Sequence, residues 1–223
     1  MIEIDRVSKR FGRVRALDAV SLHIDAGERV ALIGTNGSGK TTLLRALLGL
    51  IRVDGQVRIS GIDVAEAPEY ALRELAYVPQ ISPPLDAPVR EVLSTFAALR
   101  GIPVGACIDC AGRLGLALEG LLQVRFRDLS GGMRQKLLAA LALAADPRIL
   151  VCDEPTANLD AAARAAFLGQ LARRPSDSIL IVCSHHADDV RSLVTRIVEL
   201  RDGAIASDHA AIERSSFRLK VVP

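Results

Sequence analysis

The sequence predicts an α/β domain with a mostly parallel central sheet, an antiparallel β region at the N-terminus and an inserted helical subdomain. Three observations carry this expectation. Short, nearly continuous apolar runs (Arg29-Val30-Ala31-Leu32-Ile33, residues 149–152 and residues 179–183) have the pattern of strands buried on both faces. Segments of helical spacing lie between them. A long block of helical character, residues 89–145, interrupts the series. Strand–helix–strand units around such an insert imply parallel pairing through crossovers.

The elements follow in order. Ile2 and Ile4, then Val20, Leu22 and Ile24 with polar residues between them, alternate with period two, as half-exposed strands do. Gly12-Arg13 and Ala26-Gly27-Glu28 supply the turns. The buried run 29–33 leads into a glycine-rich stretch, and residues 42–48 then have helical spacing that stops at Gly49. Residues 55–62 read as strand and turn, and Tyr77-Val78-Pro79-Gln80 ends a further strand at a proline. The block 89–145 is helical, with breaks at 101–103 and 125–132. Residues 161–173 read as a helix between the last two buried strands, and residues 196–203 as the start of a closing hairpin. One domain over 1–223 is expected, with a core of 1–84 and 146–210, a helical subdomain over about 85–145 and a tail from 211.

Composition fits this picture and excludes others. Half of the 223 residues are hydrophobic, enough for a sizeable core. The 28 basic and 26 acidic residues leave a net charge of +2, and aromatics are 3% with no Trp, so neither a basic face nor a stacking platform for nucleic acid is expected. The N-terminus has no charged and apolar leader pattern, and the longest apolar run, 137–145, is short of the roughly 18 residues of a membrane span. A soluble, cytoplasmic chain is the expectation. Four cysteines are too few for a disulfide framework; Cys107 and Cys110 have metal-pair spacing but no second pair, and a structural role is expected of them.

Chemistry concentrates in three places. Gly34-Thr35-Asn36-Gly37-Ser38-Gly39-Lys40-Thr41, followed by Thr42, matches the P-loop pattern, in which glycines let backbone N–H groups turn toward phosphate oxygens. The helix that follows aims its N-terminal dipole at the same anion. Lys40 reaches the β- and γ-phosphates, and the Thr41 hydroxyl is a ligand for Mg²⁺. The strand 149–152 then delivers Asp153 at its tip for the cation, with Glu154 one position later as a base for water. Ser130-Gly131-Gly132 opens a long apolar helix, a second anion-binding start.

In that order and spacing, Leu129-Ser130-Gly131-Gly132-Met133-Arg134-Gln135 resembles the signature sequence of ATP-binding cassette (ABC) ATPases, and the resemblance extends over essentially the whole chain. It implies a P-loop NTPase fold of that type, with ATP and Mg²⁺ as cofactors. Phe11 resembles the aromatic that stacks on adenine, and Gln80 the glutamine that contacts Mg²⁺ or the attacking water. Asp160, in Ala157-Asn158-Leu159-Asp160, resembles the acid of the D-loop, and His185 the switch histidine on the γ-phosphate, with His186 a bystander. Met133 departs from the glutamine many members have there, which leaves the backbone donors but removes a side-chain contact.

The resemblance further implies a homodimer that sandwiches ATP between one chain's P-loop and the other's Ser130-Gly131-Gly132. It implies a separate integral-membrane permease docked near Gln80 and the helical subdomain, with residues 81–85 as one wall of the docking groove. Hence follow a peripheral position on the inner face of the cell membrane, no nucleic-acid partner and a lean toward export. A soluble cassette acting on ribosomes or DNA is the alternative. It is disfavoured because only one cassette is present and no heptad run separates Lys40 from Ser130.

Overall fold

The computed structural model describes residues 1–184 and 191–211. Two sheets form the frame. The first is antiparallel, in the order β2-β1-β4-β5, from β1 (Ile2–Phe11), β2 (Val14–Ile24), β4 (Asp54–Ile59) and the short β5 (Ile62–Asp63). The second runs β10-β9-β3-β8-β7-β6. It contains β3 (Arg29–Ile33), β6 (Leu75–Val78), β7 (Ile149–Asp153), β8 (Ile179–Ser184), β9 (Arg196–Arg201) and β10 (Ala204–Ala210). All its neighbours pair in parallel except β9 with β10, the closing hairpin.

The apolar runs are strands because only a parallel sheet covered on both sides gives every residue a buried environment. β7 and β8 are buried at every position. Their side chains alternate between two cores, as a pleat requires. Ile149, Val151, Ile179 and Ile181 join the antiparallel sheet and α1 (Lys40–Leu47), whereas Leu150, Cys152, Leu180 and Val182 face the helices. On that second side pack α3 (Val89–Arg100), α4 (Val104–Arg113), α5 (Gly131–Ala144) and α6 (Ala161–Ala172). Phe126, Leu137 and Phe167 are fully buried there, each worth about 1.5–3 kcal/mol in transfer from water.

Three local differences from the sequence reading have physical causes. β1 continues to Phe11 although its apolar alternation lapses after Ile4, because register shifts between Ile4 and Lys9 interrupt the pairing with β2 and Arg6 has φ 45°. The helical character read through residue 124 ends at Arg113. Gly115, at φ 70°, turns the chain, and the apolar Leu116 and Leu118 are buried from an irregular segment rather than from a helix face. A four-residue helix, α2 (Pro68–Ala71), forms at Pro68 with the proline in its first turn, a position too short to show periodicity. Cys107 and Cys110 are free thiols buried on α4, and burial pushes both thiols up. Among the described residues no group of three His, Cys, Asp or Glu is placed to hold a metal ion.

Candidate nucleotide site

Parallel strands bring their carboxyl ends to one edge, and crevices for ligands form there. Register aligns the ends here: Ile33 lies opposite Ser184, and Asp153 opposite Cys183. The segments that leave β3, β6 and β7 carry the P-loop, Gln80 and Asp153-Glu154. They enclose a cavity of about 380 Å³ lined by Asn36, residues 37–42, Gln80, Asp153 and Glu154, together with Val14 and Ala16 of β2.

The P-loop glycines are needed sterically. Gly34 has φ 150°, and a Cβ there would lie 2.4 Å from the Leu200 carbonyl oxygen. Gly39, the N-cap of α1 at φ 105°, would place a Cβ 2.5 Å from the Ala16 carbonyl oxygen. With those side chains absent the loop closes tightly, and the Lys40 ammonium donates to the carbonyls of Gly34 at 2.6 Å and Thr35 at 3.1 Å. Ser38 is 3% exposed, and among the described residues its Oγ has no hydrogen-bond partner. A buried hydroxyl without a partner is costly by itself and suits an anion acceptor in the cradle.

The acidic pair diverges because of backbone conformation. Asp153 ends β7 and accepts a hydrogen bond from Thr41 Oγ1 at 3.2 Å and one from the Tyr77 hydroxyl at 3.5 Å. Burial pushes its carboxyl above the usual carboxylate range and the nearby Glu154 charge adds to this, while the Thr41 hydroxyl and Lys40 oppose it. Glu154 has φ 47°, a left-handed conformation that turns the chain off the strand, with its N–H donating to the Cys183 carbonyl at 3.1 Å. Thr41 and Asp153 present hard oxygen donors of the kind Mg²⁺ takes, beside a phosphate cradle. The residues present therefore fit a magnesium–nucleotide complex.

The other expected site residues lie apart from this cavity or beyond the described chain. Phe11 is 48% exposed at the end of β1 with the Lys9 ammonium 5.3 Å from its ring centre; its cross-strand partner Val14, not Phe11, lines the cavity. Ser130 caps α5, its Oγ accepting from Met133 N–H at 3.2 Å, and none of Ser130, Gly131 and Gly132 lines the cavity. Met133 is half-buried against the helical core, so the apolar side chain at that position has a packing partner. Asp160 caps α6 by accepting from Ala163 N–H at 2.8 Å, and its other oxygen meets Lys136 Nζ at 2.8 Å. That lysine, before the cap, holds the carboxyl below its ordinary range. His185 and His186 lie outside the described residues.

Tyr77, Val14 and Ala16 belong to the cavity's surroundings and were not picked out from the sequence. Tyr77 stands on β6 like any strand aromatic, and only its hydroxyl contact distinguishes it. A second, larger groove of about 750 Å³ opens beside the site, lined among others by Leu50, Tyr77, Leu85, Phe96, Leu99 and Leu141. Of residues 81–85, Leu85 forms part of its wall, whereas Ile81, 78% exposed, does not line it.

Comparisons with known proteins agree with this architecture. The sequence model of a family described as "ABC transporter" matches residues 17–157. The chain is 34% identical over 209 residues to the Nod factor export ATP-binding protein I of Paraburkholderia xenovorans, covering 91% of this chain and 68% of that protein. It is 36% identical over 230 residues to the phosphonates import ATP-binding protein PhnC of Frankia casuarinae, covering 94% and 90%. Among solved structures, an ATP-binding subunit of an ABC transporter superposes with a TM-score of 0.85 at 25% identity, over 94% of this chain and 90% of that one. A dimeric post-hydrolysis ATP-binding cassette with ADP and Pi superposes at 0.82 and 24% identity, over 96% and 100%, a likeness of fold. With the P-loop, the acidic strand end and the Ser-Gly-Gly helix start in their places, the chain belongs to the ABC transporter family, as an ATP-binding and ATP-hydrolysing subunit of the P-loop fold.

Proposed function

We propose that two copies of this chain close around ATP and drive a separate membrane permease. The observation that carries this reading is a division within one chain. Lys40, Thr41, Gln80, Asp153 and Glu154 share one cavity, while the second anion-binding helix start at Ser130 stays outside it. A Ser-Gly-Gly helix start facing solvent is complementary to the γ-phosphate presented by another copy's P-loop.

In this reading the backbone of residues 34–39 and Lys40 hold the phosphates, with Thr42 flanking them. Thr41, Asp153 and Gln80 hold Mg²⁺, which when bound neutralises charge on the phosphate oxygens. Glu154 takes a proton from water as its oxygen attacks the γ-phosphorus, and the bond to the β-phosphate oxygen breaks, giving ADP and phosphate. His185 contacts the γ-phosphate, Phe11 the adenine, and Asp160 the neighbouring subunit near its own tie to Lys136. Loss of the γ-phosphate removes contacts across the interface, so the pair reopens.

The apolar groove beside Gln80 receives a cytoplasmic helix of the permease, with residues 85–145 as the subdomain that moves. Among the described residues no single helix is long and apolar enough to cross a membrane, which fits a subunit that works with a membrane partner at the inner face. Export is the direction we favour from the Gly-Gly-Met signature; the relatives include both an exporter and importer subunits by name. Glu154→Gln is the test. It should retain ATP, run as a dimer in ATP on gel filtration and lose turnover by about two to four orders of magnitude, the usual worth of a general base. Hydrolysis at the parent rate would remove Glu154 from this role.

A further inference from the structure

α5 makes a connection through Gln135, the last residue of the signature-like segment. Gln135, five residues into the helix, is 1% exposed, and its side-chain amide reaches two separate loops. Nε2 lies 3.3 Å from the carbonyl oxygen of Pro79 and 3.4 Å from that of Pro155. Both partners are acceptors, so the amide end that faces them is the –NH₂, with one N–H for each. Among the described residues neither carbonyl accepts a backbone N–H in the turn and loop hydrogen bonds, which leaves Gln135 as the donor seen there. Among the described residues its Oε1 has no hydrogen-bond partner, which marks the amide as held for its donors.

The two carbonyls sit at informative places. Pro79 immediately precedes Gln80, and Pro155 immediately follows Glu154. Each proline fixes its own φ, so anchoring its carbonyl restrains the adjoining residue through few free torsions. α5 also approaches the second loop by its backbone: a Cβ on Gly132 would lie 3.1 Å from the Asn158 carbonyl oxygen.

We propose that Gln135 is a positioning residue that fixes Gln80 and Glu154 relative to one another and to the Ser130 end of α5, so that hydrolysis follows the placement of this helix. The proposal rests on the roles given above to Gln80 and Glu154. Gln135→Met keeps the length and removes both donors. Its KM for ATP should stay within about twofold of the parent, since residues 34–42 are untouched, while kcat falls about tenfold or more from misplacement at the reacting centre. Amide hydrogen exchange should quicken together in residues 80–82 and 156–158.

Leu137→Ala, a core truncation about 200° around the same helix, controls for lost stability and should keep kcat at a temperature where both variants are folded. If Gln135→Met does not fold, Gln135→Asn, which keeps the –NH₂ on a stem one methylene shorter, should show the same pattern in smaller measure. A kcat within twofold of the parent, a kcat loss matched by Leu137→Ala, or exchange that quickens along all of α5 rather than in the two loops would overturn the proposal, provided Glu154→Gln and Gln80→Ala remain impaired. Parent-like turnover in those two variants would instead fell the site assignment, and this inference with it.

Discussion

Asp153 shows what the site costs the fold. Its carboxyl is raised by burial, so the native chain holds that proton more tightly than the unfolded chain does. Between the unfolded pKa and the raised native one the native state binds more protons, and stability therefore falls as pH rises through that window and stays reduced above it. Asp153→Asn removes this penalty while keeping an acceptor for the Thr41 hydroxyl. Without Mg²⁺ and nucleotide, the variant should melt higher than the parent at pH 7, by about 2–4 °C for each kcal/mol regained. The gap should narrow as pH is lowered toward 4. Mg²⁺-dependent hydrolysis should meanwhile drop by at least about a hundredfold. A calorimetric melt at the two pH values checks the first part; equal melting temperatures at pH 7 would refute it. Glu154 adds a backbone cost, because a left-handed φ is unfavourable by roughly 1–2 kcal/mol for a residue with a Cβ.

At the scale of elements, what was legible in the sequence follows from what is local. The P-loop, Asp153-Glu154 and the Ser130 cap are short stretches whose geometry is set by their own glycines, hydroxyl and strand ends, so their spacing announced them. The three buried strands are legible because burial on both faces confines polar residues to their ends. The end of α4 was not, since Leu116 and Leu118 are as apolar in a packed loop as in a helix, and only the tertiary contact decides. The hydroxyl contact of Tyr77, the bridge made by Gln135 and most of the groove's walls are not legible for the same reason: each depends on an element far away in sequence. Phe11 stands between these cases, a residue in the expected place on β1 whose exposed ring is not part of the cavity wall.

The groove allows a direct test at this scale. Leu99 on α3 lines it and is 79% exposed, so Leu99→Asp should alter little in the fold. ATP affinity should remain within about twofold and the melting temperature nearly constant, as for most exposed substitutions. Copurification with the permease should be lost, because a buried carboxylate without a partner opposes docking. Retention of the permease by this variant would place the docking surface elsewhere.

For the whole molecule, the decisive question is the distance between one chain's P-loop and another's α5. Asn36 and Ser130 are both exposed, and all four native cysteines are buried, so introduced thiols at these positions would dominate crosslinking. In the Glu154→Gln background, Asn36→Cys with Ser130→Cys should form a covalent dimer on adding ATP and far less with ADP. Absence of the ATP-dependent crosslink, with the variants folded and binding nucleotide, would argue against the sandwich.

The length of α5 has a further consequence. Its fourteen residues span about 21 Å, and the side chains at 138, 141 and 142 that border the groove lie roughly 12–18 Å along the axis from the Ser130 cap. A hydrogen-bonded rod of that length bends little, so, if a permease docks in the groove and a second copy meets Ser130 as proposed, a tilt imposed at one end is carried to the other. On that proposal one stiff strut, rather than a relay of loosened loops, links the two ends, and the amide of Gln135, bonded to two turns at once, lies between them.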